Sequence, residues 1–214
     1  MDKTTNPWRK DFPLLQSDPV MYLDNAATAQ RPACVIEAVK AFYEQANANP
    51  LRGFYPLSLK ATQMYEDARK MVQRFIHAPS ERCVIFTRNT TESLNLVAYS
   101  YAMHHLKAGD EIAVSILEHH SNILPWQMVA SQTGATLRYM DCEPDGTLTD
   151  ETIEQTIGEK TKLVAIGHVS NVLGCVNPVK KIIDRAHAVG AVAVLDAAQS
   201  APHMPLDVQA LDAD

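Results

Sequence analysis

The sequence predicts an α/β fold: a mainly parallel sheet flanked by helices. Three observations carry that reading. From Cys83 onward, short β-branched runs alternate with helical patterns, and such alternation requires crossover helices over a parallel sheet. The helical stretches between those runs each open on a capping residue or a first-turn proline. With 214 residues and 46% hydrophobic content, the chain is long enough for one sizeable core, or for one domain plus part of another.

Taken in order, Pro32 stands where a first helical turn tolerates it, and Val35, Ile36, Val39, Phe42 and Tyr43 follow at three- and four-residue steps. That spacing predicts a helix over 32–46. A second stripe, Met64, Ala68, Met71, Val72, Phe75 and Ile76, has Glu66, Asp67, Lys70 and Arg74 off it and reads as a long amphipathic helix. The stretch between them, 47–56, is an irregular connection. The strand candidates are Val84 to Thr87, Ile112 to Ile116, Thr136 to Met140, Leu163 to Ile166 and Val192 to Leu195. Helices are expected to begin near Thr91, Ser121, Thr149 and Pro178. Residues before about Asn47 lack the alternation, so 1–46 is read as a separate, smaller layer and 47–214 as the larger domain.

Composition narrows the function. The formal net charge of -6, with no run of Lys or Arg, leaves no electrostatic footprint for nucleic acid or an anionic membrane. No stretch approaches the roughly 18 apolar residues that span a bilayer, and Met1 to Lys10 hold no signal-like apolar region, so a soluble cytoplasmic protein is expected. Cys34, Cys83, Cys142 and Cys175 form no CxxC pair, which argues against a zinc site or a disulfide framework; no metal is expected.

Ligands of open parallel sheets bind at the carboxyl ends of the strands. After the first candidate strand, Arg88, Asn89, Thr90, Thr91 and Glu92 run into a helix and offer an anion site suited to phosphate. The plainer alternative is an ordinary N-cap at Thr90 or Thr91. After the second come Glu118, His119, His120, Ser121 and Asn122, where an imidazole could stack on an aromatic cofactor or move a proton. Solvated loop histidines are the alternative. After the fourth, His168, Ser170, Asn171 and Gly174 supply polar groups at a sharp turn. After the fifth, Asp196 ends an apolar run and is followed by Gln199. A carboxylate there is costly to desolvate without a positive partner, so a cationic ring nitrogen would explain it; capping of the next turn would explain it equally.

Together, Tyr22 Leu23 Asp24 Asn25 Ala26 Ala27 Thr28, Thr90 Thr91 Glu92 Ser93, Glu118 His119 His120 Ser121 Asn122 with Pro125 Trp126, Ser170 Asn171 Val172 Leu173 Gly174, and Asp196 Ala197 Ala198 Gln199 stand in the order and spacing of class V aminotransferase-fold proteins. More narrowly, the set resembles the group II (SufS-type) cysteine desulfurases, from about Trp8 to Asp214. The resemblance implies the large domain of a fold type I pyridoxal-phosphate transferase, incomplete at its C-terminal side, with 1–46 as the N-terminal segment of the small domain and 47–214 as a partial cofactor-binding domain. It implies pyridoxal 5′-phosphate as cofactor, with Thr90 and Thr91 at its phosphate and His119 stacked on its ring. Asn171 and Gln199 would sit at the ring's phenolic oxygen, and Asp196 would pair with the protonated ring nitrogen; His119 and Asp196 would be the catalytic residues. L-cysteine as substrate, a sulfur-acceptor protein, a role in iron-sulfur cluster assembly and a homodimer when full length are implied in the same way.

The resemblance also implies what the sequence does not hold. The family's Ser-x-His-Lys segment with its Schiff-base lysine, its persulfide-forming cysteine and its substrate-binding arginine belong after Asp214, so the chain reads as an N-terminal half that is inactive alone. A selenocysteine lyase, or a truncated or split pseudoenzyme, is the alternative. In Asn49 Pro50 Leu51 Arg52 Gly53 Phe54 Tyr55, the residues Leu51 and Tyr55 stand where the family commonly has histidines. In the family fold, two later strands separate the first strand from the others, so Val84 to Thr87 is expected to lack sheet neighbours while the other four strands pair.

Overall fold

The computed structural model describes residues 6–17 and 20–214; Met1 to Thr5, part of the stretch read above for a signal, lie outside the described residues. Two compact units divide the chain, Met1–Met71 and Val72–Asp214.

In the first unit, a short helix α1 (Pro13–Ser17) precedes α2 (Ala33–Gln45) and the start of α3 (Pro56–Phe75). Pro32 caps α2 with extended backbone, and Ala46 closes it with its N–H on the Phe42 carbonyl. The predicted helix over 32–46 is therefore present to within a residue. Its apolar stripe is not buried: Val35, Ile36, Val39 and Tyr43 are all exposed. The connection before α3 is irregular, as expected, and tight. A Cβ at Gly53 would meet Ser58 Oγ at 2.6 Å, while that hydroxyl donates to the Asn49 carbonyl at 2.7 Å. Leu51 takes a positive φ of 67°, a conformation unfavourable for a bulky side chain, and its N–H is held by Thr62 Oγ1 at 2.8 Å.

The second unit holds a wholly parallel sheet of order β2-β1-β3-β4, formed by β1 (Glu111–Ser115), β2 (Thr136–Met140), β3 (Thr161–Gly167) and β4 (Val192–Asp196). Alternate side chains serve opposite faces, as a period of two dictates. Ala113, Val164 and Ile166 meet α7 (Asp150–Thr156) and α8 (Val179–Ala188) through Ile153, Ile182 and Ile183. Ile112, Val114, Leu163 and Ala165 meet Trp126 and Val129 of α6 (Leu124–Thr133) and Leu94 of α4 (Thr90–Val97). The helix begun by α4 continues through a π-helical segment, Ala98–Ala102, into α5 (Met103–His105). Helices on both faces explain why β1 and β3 read as nearly continuous apolar runs.

Local chemistry sets the helix starts. Thr149 Oγ1 accepts from the Thr152 N–H at 3.1 Å to open α7, and Pro178 precedes α8. Asn89, rather than either threonine, caps α4, its Oδ1 accepting from the Glu92 N–H at 2.9 Å. Near Ser121 the expected helix is first a 3-10 turn, His120–Asn122, and α6 starts at Leu124. A last helix, α9 (Val208–Leu211), is capped by Asp207.

One strand expectation is corrected. Val84 to Thr87 follows a 3-10 turn and belongs to no strand of the sheet. Ile85 and Phe86 are 69% and 41% exposed. A β-branched run becomes a strand only where a neighbour takes its backbone groups, and the four paired strands are β1 to β4. Amide hydrogen exchange is expected to be slowest in β3, which is paired on both sides, and faster at 84–87, where Ile85 is exposed. Equal protection in the two segments would contradict this pairing.

The C-terminal residues are tied to the sheet edge through α8. Asp214 donates its N–H to the Ala193 carbonyl at 3.2 Å and accepts from the Ala193 N–H at 2.8 Å. His187 reaches Asp214 Oδ2 at 2.9 Å and Asp212 Oδ2 at 3.3 Å. The hydrogen bond to Asp214, opposed by desolvation and aided by both carboxylate charges, raises the His187 pKa. A raised histidine pKa means stability that is fully present below the unfolded value, about 6.5, and lost as pH rises through the higher folded value. The melting-temperature gap between wild type and His187→Ala should accordingly be wider at pH 6 than at pH 9. A gap independent of pH would count against the pairing.

Candidate active site

The connection from β1 runs through α6 to β2, while that from β3 runs through α8 to β4 on the opposite face. Between β1 and β3 the sheet thus has a topological switch point, where a crevice opens outside the strand ends. The residues read as functional follow those ends.

At the end of β1, Ser115 Oγ donates to Glu118 Oε1 at 2.6 Å and accepts from the Leu117 N–H at 3.1 Å. Asn122 Nδ2 donates to Glu118 Oε2 at 2.6 Å, and the Trp126 indole N–H donates to Asn122 Oδ1 at 3.0 Å. The backbone N–H of Gly167, at the end of β3, also serves the Glu118 carboxylate. Burial raises the Glu118 pKa, opposed by the bonds from Gly167, Ser115 and Asn122, and the charge of Asp196 adds to the rise.

His119 follows directly and is exposed. Its Nδ1 accepts from the Ser121 N–H at 3.2 Å and lies 2.7 Å from Ser121 Oγ. A nitrogen that accepts from a backbone N–H carries no proton, so the ring proton sits on Nε2. His119 and Thr91 line a cleft of about 430 Å³ with Asn95, Ser121 and Leu124. Thr90 and Thr91 form the first turn of α4, where backbone N–H groups have no intrahelical acceptor. The negative charge of Glu92 in that turn is met by Arg88, whose guanidinium lies 3.0 Å from Oε1 and whose N–H donates to Oε2 at 2.6 Å. The side-chain bond to Arg88, then its backbone N–H, holds the Glu92 pKa below its ordinary value.

Asp196, 8% exposed, ends β4 beside Gly167 in register. Its Oδ1 accepts from the Ala198 N–H at 2.9 Å, and its carbonyl accepts from the His168 N–H at 2.9 Å. His168 is buried with Nδ1 unpartnered, and desolvation lowers its pKa. Thr90, Ala197 and Ala198 line a larger apolar cleft, about 910 Å³, along β4.

The structure thus places Thr91 with His119, and Thr90 with the flank of Asp196. Asn171 and Gln199, both half-buried, line neither cleft. Asn171 sits in a turn made by Ser170, whose Oγ accepts the Val172 and Leu173 N–H groups, and closed by Gly174 at φ 70°. The roles of Glu118 and Asn122 were not read from the sequence. The signal was there: a glutamate three residues beyond an apolar strand, with a potential donor four residues on and a tryptophan four further.

As a donor set, these residues fit pyridoxal phosphate. A helix N-terminus suits a dianion, and the buried carboxylate of Asp196 suits a protonated ring nitrogen. Among the described residues no cluster of three or more His, Cys, Asp or Glu could hold a metal ion. No helix among them is long and apolar enough to cross a membrane.

Sheet order, crossover pattern and strand-end chemistry define a class, and the chain belongs to it: the aminotransferase class-V family matches residues 21–214. Within that class the chain is similar to cysteine desulfurases. It is 53% identical over 210 residues to a probable cysteine desulfurase of Halalkalibacterium halodurans, covering 96% of this chain and 52% of the relative. Against a probable cysteine desulfurase of Synechocystis sp. the identity is 50%, covering 96% and 50%. Among solved structures, the cysteine desulfurase of Thermococcus onnurineus superimposes with a TM-score of 0.91 at 44% identity, covering 96% of this chain and 50% of that one. CsdA of Escherichia coli gives 0.87 at 40%, covering 97% and 52%. A C-DES variant with glycine linked covalently to its PLP cofactor shares the fold, with a TM-score of 0.83 at 24% identity, covering 96% and 53%. The chain spans about half the length of the relatives it matches.

Proposed function

We propose that this chain is the N-terminal, cofactor-facing part of a group II (SufS-type) cysteine desulfurase. The reaction is conversion of L-cysteine and a protein thiol into L-alanine and a protein persulfide: the C–S bond breaks, an S–S bond forms, and the hydrogens of the two thiols are retained in the products. The sulfur goes on to an acceptor protein for iron-sulfur cluster assembly, and the working unit is a cytoplasmic homodimer. Residues 1–46 belong to the small domain and 47–214 to the cofactor-binding domain. The Schiff-base lysine, the sulfur-accepting cysteine and the substrate-binding arginine are assigned to polypeptide outside these 214 residues.

The observation that carries this reading is Asp196, a buried carboxylate at the end of β4 whose Oδ1 accepts from the Ala198 N–H. Pyridoxal phosphate, when bound, supplies an electron sink for breaking bonds at the substrate's α-carbon. Asp196 keeps the proton on the ring nitrogen, which that sink requires. Thr90 and Thr91 hold the phosphate with backbone N–H groups and hydroxyls at the start of α4. His119 presents the face of its ring to the cofactor, its tautomer fixed by Ser121. Asn171 and Gln199 serve the phenolic oxygen.

The test is an assay of the product of the whole open reading frame with L-cysteine and pyridoxal phosphate. Alanine formed in step with persulfide sulfur is the expected result. Pyruvate and ammonia in place of alanine would overturn the reading.

A further inference from the structure

Glu118 has no place in the proposed chemistry, yet it is the most heavily bonded among the site residues described. It receives Ser115 from β1, Asn122 from the turn after His119, and the Gly167 N–H from β3. Gly167 pairs in register with Asp196. His119 and Asp196 come from different strands, and Glu118 spans the step between them. The fit is close: a Cβ at Gly167 would stand 3.1 Å from Glu118 Oε2, so the carboxylate occupies the space that a side chain there would need. Asn122 and Trp126, both fully buried, anchor the far end of the network in the core.

We infer that Glu118 is a positioning residue, which fixes the His119 turn against the end of β3 and so sets the separation of His119 from Asp196; this deepens the proposed function and rests on it. The role is geometric. In glutamine, an oxygen at the Oε2 position still accepts from Asn122, while the NH₂ at the Oε1 position donates to Ser115 Oγ, whose hydroxyl both donates and accepts. Glu118→Gln therefore preserves the arrangement, and Glu118→Ala abolishes it. Gly167→Ala deletes no polar group but requires the carboxylate to give by a few tenths of an ångström.

The experiment uses the product of the whole open reading frame. Ring signals of His119 and the indole N–H signal of Trp126 are followed by NMR without ligand, and pyridoxal phosphate affinity is followed by absorbance. Glu118→Ala and Gly167→Ala are expected to shift the His119 and Trp126 signals and to weaken binding tenfold or more. Glu118→Gln is expected to hold both signals and to bind within about twofold of wild type. Unmoved His119 signals in Gly167→Ala, or a Glu118→Gln variant as impaired as Glu118→Ala, would overturn the inference. If Glu118→Ala does not fold, Gly167→Ala and Glu118→Gln decide. Failure of wild type to bind pyridoxal phosphate would count against the proposed function, and the ligand-free signals would still decide the positioning role.

Discussion

Asp196→Ala is expected to weaken pyridoxal phosphate binding by about ten- to a hundredfold, because a hydrogen bond between charged groups contributes about 1.5–3 kcal/mol and each 1.4 kcal/mol is about tenfold. The carboxylate is buried at the end of β4 and oriented by the Ala198 N–H. His120→Ala should lose far less. His120 lines the same cleft as His119, but it is not placed to hold a ring-nitrogen proton. Spectroscopic titration of the two variants gives the comparison, and equal losses would remove the assignment of Asp196.

Trp126→Ala should have the largest effect on stability. The side chain is fully buried against β1 and β3, and truncating such a tryptophan costs about 3–5 kcal/mol. Leaving Asn122 Oδ1 without its donor adds about 1–3 kcal/mol. Against a total stability of about 5–15 kcal/mol for a native protein, that is enough to lose the cooperative fold. Trp126→Phe keeps most of the volume and forfeits only the N–H, so it should remain folded with a lower urea midpoint. A Trp126→Ala midpoint equal to wild type would show that the network is not anchored there.

Local signals were legible in the sequence wherever local chemistry decides. Thr136 to Met140 is a strand at the bounds that its pattern gives, and Thr149 caps α7 as its position before the helix suggests. Periodicity gave α2 but not its environment, since a 3.6-residue stripe records that a face is apolar and not what covers it; Val35 and Val39 are exposed. Val84 to Thr87 has strand composition without strand pairing, because pairing is a non-local property that no run of residues carries alone. Strand-end logic found Thr90, His119 and Asp196. It passed over Glu118 because that carboxylate faces Gly167, nearly fifty positions on, and a contact of that span has no local signature. The roles of Asn171 and Gln199 came from the resemblance, and neither residue lines the cleft of Thr91 and His119 or the cleft of Thr90.

The account rests on one face of one half-sheet holding the cofactor, and a crystal structure of this protein grown with pyridoxal phosphate tests it most directly. The account predicts the ring nitrogen within hydrogen-bond distance of Asp196, the phosphate against the Thr90 and Thr91 N–H groups, and the His119 ring over the pyridine face. A ring bound elsewhere, with Asp196 unpartnered and the start of α4 empty of phosphate, would contradict it.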